Sequence, residues 1–177
     1  MQSTRKVNIM PRRIFIGIKP DDHIIRDIKS MHEQLAFLPV HWVPLENLHT
    51  TLIPPWKPTN YEKDLETFNS LKIKQPSAPL TFTSVTFFKP KNMLWAVGHN
   101  SETLCPIIEN LRNAFNFAKD EREYLMHITL AKHVAAELSI PEVKIQWQFV
   151  PTELTLFETV QTKGETQYKT LSTISMT

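Results

Sequence analysis

The chain has 177 residues, of which 41% are hydrophobic and 21% are charged, a balance typical of a globular protein rather than a disordered or membrane-resident one. Its formal net charge of +2 is too small for a general nucleic-acid binder, and no apolar run approaches the roughly 20 residues of a membrane-spanning helix. Cys105 is the only cysteine, which excludes an intramolecular disulfide and argues against a thiolate metal site.

The first eleven residues, 1–11, are predicted to form a flexible N-terminal extension, and residues 12–177 a single bilobal domain. The basic start is followed by Ile14–Ile18, an apolar run that is too short and too strand-like for a secretory signal. We therefore expect a cytoplasmic protein without a membrane partner, acting as a monomer.

The first half of the chain is predicted to alternate strands with helices. Its elements, in order, are a strand over Arg13–Ile18, a helix with Ile24, Ile25, Ile28, Met31 and Leu35 at helical spacing, a strand at His41–Val43, a strand from Leu48 to Ile53 that stops at Pro54-Pro55, and a short helix capped by Thr59-Asn60.

A polar segment with two prolines, from Ile73 to Pro79, is predicted to cross between the halves, because a similar order of elements then repeats. These elements are a strand at Leu80–Phe88, a turn at Pro90–Asn92, a strand at Met93–Val97, a helix over Leu104–Phe117, a strand at Met126–Ala131, and two strands, Ile145–Phe157 and Gln167–Ile174, joined by a turn at Lys163-Gly164.

Two strings in the predicted strands are nearly alike: LHTTL over Leu48–Leu52 and MHITL over Met126–Leu130. Side chains two apart on a strand share a face, so the His and the Thr of each string point the same way. A single copy would be weak evidence, but two copies with matching apolar flanks favour equivalent places in two halves of a duplicated architecture. The side chains presented are His49, Thr51, His127 and Thr129.

Two such strands side by side would line a cleft with two imidazoles and two hydroxyls. This set suits holding a phosphate and moving protons on both sides of it, since histidine, with a reference pKa of about 6.5, exists in both protonation states near neutral pH. The predicted fold is therefore α+β, with two pseudo-symmetric lobes of antiparallel-rich sheet, helices packed outside, and a central cleft between the motif strands.

From about Arg12 onward the chain resembles the RNA 2′,3′-cyclic phosphodiesterases, also called 2′-5′ RNA ligases, of the two-histidine phosphoesterase superfamily. The stretches that carry the resemblance are Arg13–Ile18, Trp42–Leu52, Met93–Gly98, His127–Lys132 and Leu154–Glu158, followed by Gly164 and Tyr168. The resemblance implies a bilobal α+β fold with a pseudo-twofold axis, one motif from each lobe, and neither metal nor cofactor.

By the same resemblance, His49 and His127 are the catalytic pair, and Thr51 and Thr129 bind the phosphate. The implied reaction is hydrolysis of RNA or nucleotide 2′,3′-cyclic phosphates to a 2′-phosphate end, with His49 as the acid and His127 as the base, although the two motifs are too symmetric for the sequence to settle these roles. The reverse reaction would join a 2′-5′ bond, but water at about 55 M favours hydrolysis.

Two departures from the family pattern affect the substrate. Lys132 stands where the family often has Arg, so a forked grip on the phosphate becomes a point-charge contact. After the first motif many members continue with Phe-Leu-Gly, whereas this chain has Ile53–Trp56. On this proline-bounded loop, Trp56 is the aromatic residue predicted to contact substrate, where stacking is worth about 1–3 kcal/mol per base.

Two other functions are consistent with the motifs. A zinc hydrolase also uses histidine pairs, but the chain has no His-Glu-x-x-His helix, and the motif strands offer no carboxylate ligand. A non-catalytic module that binds nucleotides or RNA ends would keep the same fold, although both motifs are complete, which argues against a decayed site. A metal assay and a comparison of turnover with binding would separate these functions.

Overall fold

The computed structural model describes residues 12–135, 140, 142–162 and 165–177. The predicted N-terminal extension and the predicted turn at Lys163-Gly164 lie outside these residues. Within them the chain forms one sheet of nine strands and three α-helices, which confirms the predicted α+β fold class. None of the described helices is both long enough and apolar enough to cross a lipid bilayer.

The regular elements alternate along the chain much as predicted. In order they are β1 Arg13–Ile18, α1 Asp22–Gln34, β2 His41–Trp42, β3 Thr50–Trp56, α2 Tyr61–Ser70, β4 Leu80–Phe88, β5 Met93–Gly98, α3 Cys105–Ala114, β6 His127–Lys132, β7 Val143–Phe149, β8 Glu153–Thr162 and β9 Glu165–Ser175.

The strands lie in the order β7-β4-β5-β6-β3-β1-β8-β9, each antiparallel to its neighbours, and β2 pairs with the end of β6. The two central strands, β3 and β6, meet at one described residue pair, Thr50 with Ile128. Four strands lie on each side of that pair, each set including one motif strand: β7, β4, β5 and β6 on one side, and β3, β1, β8 and β9 on the other. Apart from β2, which pairs with β6, the sheet is thus two four-stranded halves joined at the motif strands, as the predicted bilobal architecture requires.

The core lies on one face of this sheet. In β1, Ile14, Ile16 and Ile18 are fully buried in a single cluster with Ile24 and Ile28 of α1. Each such side chain contributes roughly 1.5–3 kcal/mol through removal of apolar surface from water. The alternate residues of the strands point to the opposite face, which is the face of the cleft.

Helix α3 ends earlier than its apolar pattern predicts. The prediction ran to Phe117, but Asn116 takes a positive φ of 54°, and the N–H groups of Asn116 and Phe117 bond to the carbonyls of Asn113 and Arg112. This is the hydrogen-bond pattern of a Schellman motif, with asparagine in the left-handed position after the helix. A left-handed residue cannot continue the helix, so the prediction was wrong by about one turn.

Two strand predictions were also wrong in extent. The predicted strand Ile145–Phe157 is two strands, β7 and β8, separated at Pro151, because β7 pairs with β4 in one half whereas β8 pairs with β1 in the other. In contrast, β3 does not stop at its two prolines and continues to Trp56. These prolines lie in an irregular stretch between the pairs Ile16 with Ile53 and Ile14 with Trp56, where the ladder does not need every N–H group.

Candidate active site

The two motifs meet where the halves of the sheet join. The antiparallel pair of Thr50 with Ile128 sets the register, and one step along it in either direction places His49 opposite Thr129 and Thr51 opposite His127. Thr50 and Ile128 are 1% and 0% exposed, so they face the core. Their neighbours in both motifs are half-buried and share the opposite face, so the cleft holds all four predicted side chains.

Both imidazoles are held by the same local device. Nδ1 of His49 lies 2.7 Å from the backbone oxygen of Asn47, and Nδ1 of His127 lies 2.9 Å from that of Leu125. A carbonyl oxygen only accepts hydrogen bonds, so Nδ1 carries the hydrogen in each ring. Nε2 is thereby left as the atom that can take up or release a proton.

His49 stands among three aromatic rings of its own half. Its ring centroid is 4.8 Å from that of Phe15, 5.0 Å from that of Tyr168 and 5.7 Å from that of Phe157. Gly17 lies beneath it, and a Cβ there would come within 2.7 Å of the Thr50 oxygen and 3.5 Å of the His49 ring. The glycine therefore allows β3 and the imidazole to lie close against β1.

His127 has a different neighbour, a single indole that lies flat against it. The ring centroids of His127 and Trp95 are 3.8 Å apart, with 22° between the planes. On its far side Trp95 stacks on Phe88, with centroids 3.8 Å apart and planes 12° apart. The three rings form a column that leads from β6 across β5 to β4.

Burial lowers the pKa of both histidines. For His49 it lowers the pKa to about 4, against the opposing effect of the Asn47 carbonyl and with smaller contributions from the positive charges of His127 and Lys132. For His127 burial also lowers the pKa, the Leu125 carbonyl raises it and Lys91 lowers it. Both imidazoles of the free protein thus favour the neutral form more strongly than a solvated histidine does.

Lys132 reaches the cleft through a β-bulge. Simple alternation would put it on the core face with Ile128, but β5 pairs Trp95 with Thr129 and Leu94 with Ala131, which leaves Leu130 as an extra residue. The next side chains, Leu130 and Ala131, are therefore both fully buried, and the half-buried Lys132 returns to the face of Thr129. Its Nζ is 5.8 Å from the centroid of the Tyr168 ring.

The first motif contains the same irregularity at the same place. β1 pairs Gly17 with Thr51 and Ile16 with Ile53, and both Leu52 and Ile53 are buried. The residue equivalent to Lys132 is therefore Pro54, which is exposed. At this position of the motif one half supplies an ammonium group to the cleft, and the other half supplies none.

Trp56 lies apart from the paired histidines, at the far end of β3. Its indole N–H donates to Oδ2 of Asp64 at 2.9 Å, and its ring meets the rings of Phe115 and Phe117 edge-on at 5.4 and 5.1 Å. At about 3.3 Å per residue, the strand separates it from His49 by roughly 20 Å. The structure brings together the five other predicted residues, and contact of Trp56 with substrate stays a prediction.

Asn47 is a residue of the site that the sequence reasoning missed. Its side chain is buried, and its amide bonds to the backbone of β9 as a neighbouring strand would. Nδ2 donates to the Thr166 oxygen at 3.0 Å, and Oδ1 accepts from the Tyr168 N–H at 3.1 Å. Its backbone oxygen holds His49. The only local signal is an asparagine two residues before the motif histidine, since its partners in β9 are distant in sequence.

Tyr124 is a second missed residue, and it links the motifs. Its hydroxyl donates to the backbone oxygen of Thr51 at 2.9 Å, and burial raises its pKa. It directly precedes Leu125, whose oxygen holds His127. The segment that orients one histidine is thereby fastened to the motif strand of the other.

A depression of about 590 Å³ lies at the start of α1 and is lined by residues that include Lys19, Asp22, His23, Arg26 and Glu153. Its lining includes neither motif histidine and mixes charges of both signs without a repeated motif. We place the candidate site at the histidines because two strands present the same chemical groups there. The volume of a depression does not by itself indicate such a site.

Comparison with known proteins agrees with this architecture. Residues 20–162 match the family model of the 2′-5′ RNA ligase superfamily. A search of curated protein sequences gives no match. Among solved structures, E. coli LigT complexed with 3′-AMP aligns with a TM-score of 0.77 at 22% identity, covering 95% of this chain and 99% of that one.

Two further structures share the fold. E. coli LigT complexed with phosphate aligns with a TM-score of 0.74 at 23% identity, covering 94% of this chain and 98% of that one. TT0787 of Thermus thermophilus aligns with a TM-score of 0.74 at 17% identity, covering 93% and 97%. The resemblance seen in the sequence is confirmed, and the chain belongs to the 2′-5′ RNA ligase superfamily.

Proposed function

We propose that this protein hydrolyses 2′,3′-cyclic phosphates, at RNA ends or on mononucleotides, to 2′-phosphates by acid and base catalysis from two histidines. The proposal rests chiefly on one observation, the register of Thr50 with Ile128, which presents two imidazoles with free Nε2 atoms to one cleft. Membership of a superfamily named for 2′-5′ RNA joining supports a phosphoryl-transfer reaction.

The phosphate is held by groups beside the histidines. The hydroxyls of Thr51 and Thr129 stand on the cleft face, each opposite the histidine of the other motif, and Lys132 adds a positive charge at one side. Donors placed where negative charge develops on the non-bridging oxygens stabilise the transition state most effectively. The two threonines and Lys132 are therefore the substrate-binding residues of the proposal.

The protons move in opposite directions on the two sides of the phosphorus. Nε2 of His127 accepts a proton from a water molecule as the water oxygen bonds to phosphorus. Nε2 of His49 donates a proton to the 3′ oxygen as its bond to phosphorus breaks, which leaves a 2′-phosphate and a free 3′ hydroxyl. The carbonyls of Asn47 and Leu125 keep Nδ1 protonated throughout, so each ring acts through Nε2 alone.

The low pKa of His49 sets a condition for its role as acid. In the free protein the buried ring is neutral near pH 7, because its pKa is lowered to about 4. A bound phosphate places a negative charge beside it and raises that pKa, so binding of the substrate favours protonation of Nε2 of His49. Since an acid of low pKa gives up its proton readily, the same burial then helps the departure of the 3′ oxygen.

Ligation would use the same groups. An RNA 5′ hydroxyl in place of water would give up its proton to His127 and bond to phosphorus as the bond from phosphorus to the 3′ oxygen breaks, with a proton from His49, which leaves a 2′-5′ linkage. Water at about 55 M outcompetes such a strand unless the strand is tightly positioned, so hydrolysis is the dominant direction.

The test is to incubate the protein with an oligoribonucleotide that ends in a 2′,3′-cyclic phosphate and to identify the product end against 2′- and 3′-phosphate standards. We expect a 2′-phosphate, formed equally well in the presence of EDTA. A 3′-phosphate product would mean that the bond from phosphorus to the 2′ oxygen breaks, which contradicts the proposed geometry. Tight binding of the cyclic end without turnover would instead support a non-catalytic binding module.

A further inference from the structure

Trp95 lies beside the proposed site, in contact with His127. It is 4% exposed, its ring lies parallel to that of His127, and its indole N–H is buried without a hydrogen-bond partner among the described residues. A buried unpaired N–H is unfavourable, and a phenylalanine ring would fill much of the same space without it. We therefore ask which interaction with His127 an indole makes more strongly than a phenyl ring.

The face of an indole attracts a positive charge more strongly than the face of any other aromatic side chain. A neutral imidazole lying on that face gains little from this attraction, whereas an imidazolium gains from it fully. The contact, with centroids 3.8 Å apart, therefore favours the protonated form of His127 over the neutral form. Phe88, stacked on the far side of Trp95, keeps the indole in this plane.

His49 is surrounded differently. The rings of Phe15 and Phe157 are tilted by 42° to it and that of Tyr168 is at 89°, so none of these three lies flat on its face. The aromatic surroundings thus treat the two histidines unequally, and only His127 has a face-on partner among the described residues.

Charged groups around His127 act in the opposite sense to the indole. Lys91, on the turn after β4, lowers its pKa. Lys132 lies on its own strand, and His49 across the cleft is neutral near pH 7. The neighbouring residues of β5, Trp95 and Val97, carry no charge. Two groups around the ring stabilise an added proton, the Leu125 carbonyl bound to Nδ1 and the indole face of Trp95.

We propose that Trp95 is a positioning residue for proton transfer: it holds the ring of His127 toward the cleft and stabilises the imidazolium that forms when His127 takes the proton from water. This inference deepens the proposed function and rests on it for the identity of the base. It also explains how a half-buried ring, whose pKa is lowered by burial and by Lys91, can still act as a proton acceptor.

The experiment compares Trp95→Phe with Trp147→Phe, which removes another buried indole in β7 and serves as the matched control. The pKa of His127 is measured by NMR titration of its ring proton, without substrate. We expect Trp95→Phe to lower that pKa by about 0.5, because phenylalanine attracts the cation less. The control should leave it unchanged.

Kinetics give the second measurement. In Trp95→Phe we expect kcat to fall about threefold to tenfold with little change in KM, and the acidic limb of kcat/KM to move to lower pH, because a weaker base loses its proton sooner. If Trp95 only fills space, its replacement admits water and moves the pKa of His127 upward, toward its ordinary value. A rise or no change in that pKa overturns the proposal.

A third measurement needs no change at Trp95. Because a protonated imidazole quenches a stacked indole, tryptophan emission should fall with the protonation of His127, and His127→Gln should abolish this step. The measurement is made in the Trp42→Phe variant, because Trp42 lies 4.4 Å from His32 and its emission would also respond to protonation of that histidine. An emission step that survives His127→Gln contradicts the stack. Absence of turnover with both titrations as expected would instead contradict the proposed function.

Discussion

In the half of the cleft built on β3 and β1, His49 stands among three tilted rings, whereas in the half built on β6 and β5, His127 lies flat on one indole. The tether is the same in both, a carbonyl two residues earlier bound to Nδ1. The local chain of each motif therefore sets which nitrogen faces the cleft. Residues distant in sequence set how readily that nitrogen holds a proton.

The supports of the two tethers differ as well. Asn47 is buried and clamped to β9 by both ends of its amide, whereas Leu125 is 45% exposed and is steadied through its neighbour Tyr124. The first tether is fixed within its own half, and the second is fixed across the join to the backbone of Thr51. The two copies of the motif thus have unequal environments, which the proposed division into acid and base would require.

The strongest test of this inequality removes each imidazole in turn. His49→Ala and His127→Ala should each lower kcat by about 10²–10⁴-fold on a 2′,3′-cyclic nucleotide, the usual contribution of one general acid or base. On a phosphodiester with a good aryl leaving group, which needs no acid, His49→Ala should recover most of the loss and His127→Ala should not.

His99→Ala is the matched control, because His99 is exposed and belongs to neither motif, and it should retain wild-type rates on both substrates. Recovery by His127→Ala rather than His49→Ala would exchange the two roles while keeping the pair. Equal residual activity in both variants on both substrates would contradict a division into acid and base.

A second test uses stability rather than catalysis. Burial lowers the pKa of His49 from 6.5 to about 4, so the unfolded chain takes up a proton more readily than the folded one. The stability that comes from the neutral ring is present in full above about pH 6.5 and is lost as the pH falls toward 4. The loss is about 3 kcal/mol in the free energy of unfolding.

Urea unfolding at several pH values measures this loss. His49→Gln should flatten the decline between pH 6.5 and 4, since glutamine does not titrate. His127→Gln should also flatten it, because the pKa of His127 is lowered too. His99→Gln should decline in parallel with the wild type. Parallel curves for the wild type and His49→Gln would show that His49 is not held neutral by the fold.

Local spacing was enough to predict much of this molecule. Alternation on strands, apolar periodicity on helices and the two His-x-Thr strings predicted the α+β class and the face shared by His49, Thr51, His127 and Thr129. These features depend on residues within a few positions of one another. They are therefore readable without knowledge of the strand order.

What the sequence could not predict depends on pairing between distant strands. The bulge at Leu130 that returns Lys132 to the cleft arises from its register with β5, and the clamp on Asn47 comes from β9. Because it follows the first motif directly, Trp56 is the aromatic residue that the sequence predicts to contact substrate. The structure instead places Trp95 against His127 and Trp56 against Asp64, Phe115 and Phe117.

A third test concerns the position at which the motifs differ in charge, Lys132 in one half and Pro54 in the other. Lys132→Ala should lower kcat/KM by about tenfold to a hundredfold, the range for one charge-assisted contact to a phosphate. Lys132→Arg should match or exceed the wild type, because a planar guanidinium can grip two oxygens at once. Lys29→Ala, on the exposed side of α1, is the control and should change nothing.

The same variant separates phosphate binding from tuning of His49. Lys132 lowers the pKa of His49, so its removal should raise that pKa, which NMR titration of the free protein can follow. If Lys132 contacts the phosphate, KM for the cyclic nucleotide rises as well. If Lys132→Ala raises the pKa of His49 but leaves KM unchanged, the lysine acts on the acid alone, and the unequal charge of the two halves serves proton transfer rather than substrate binding.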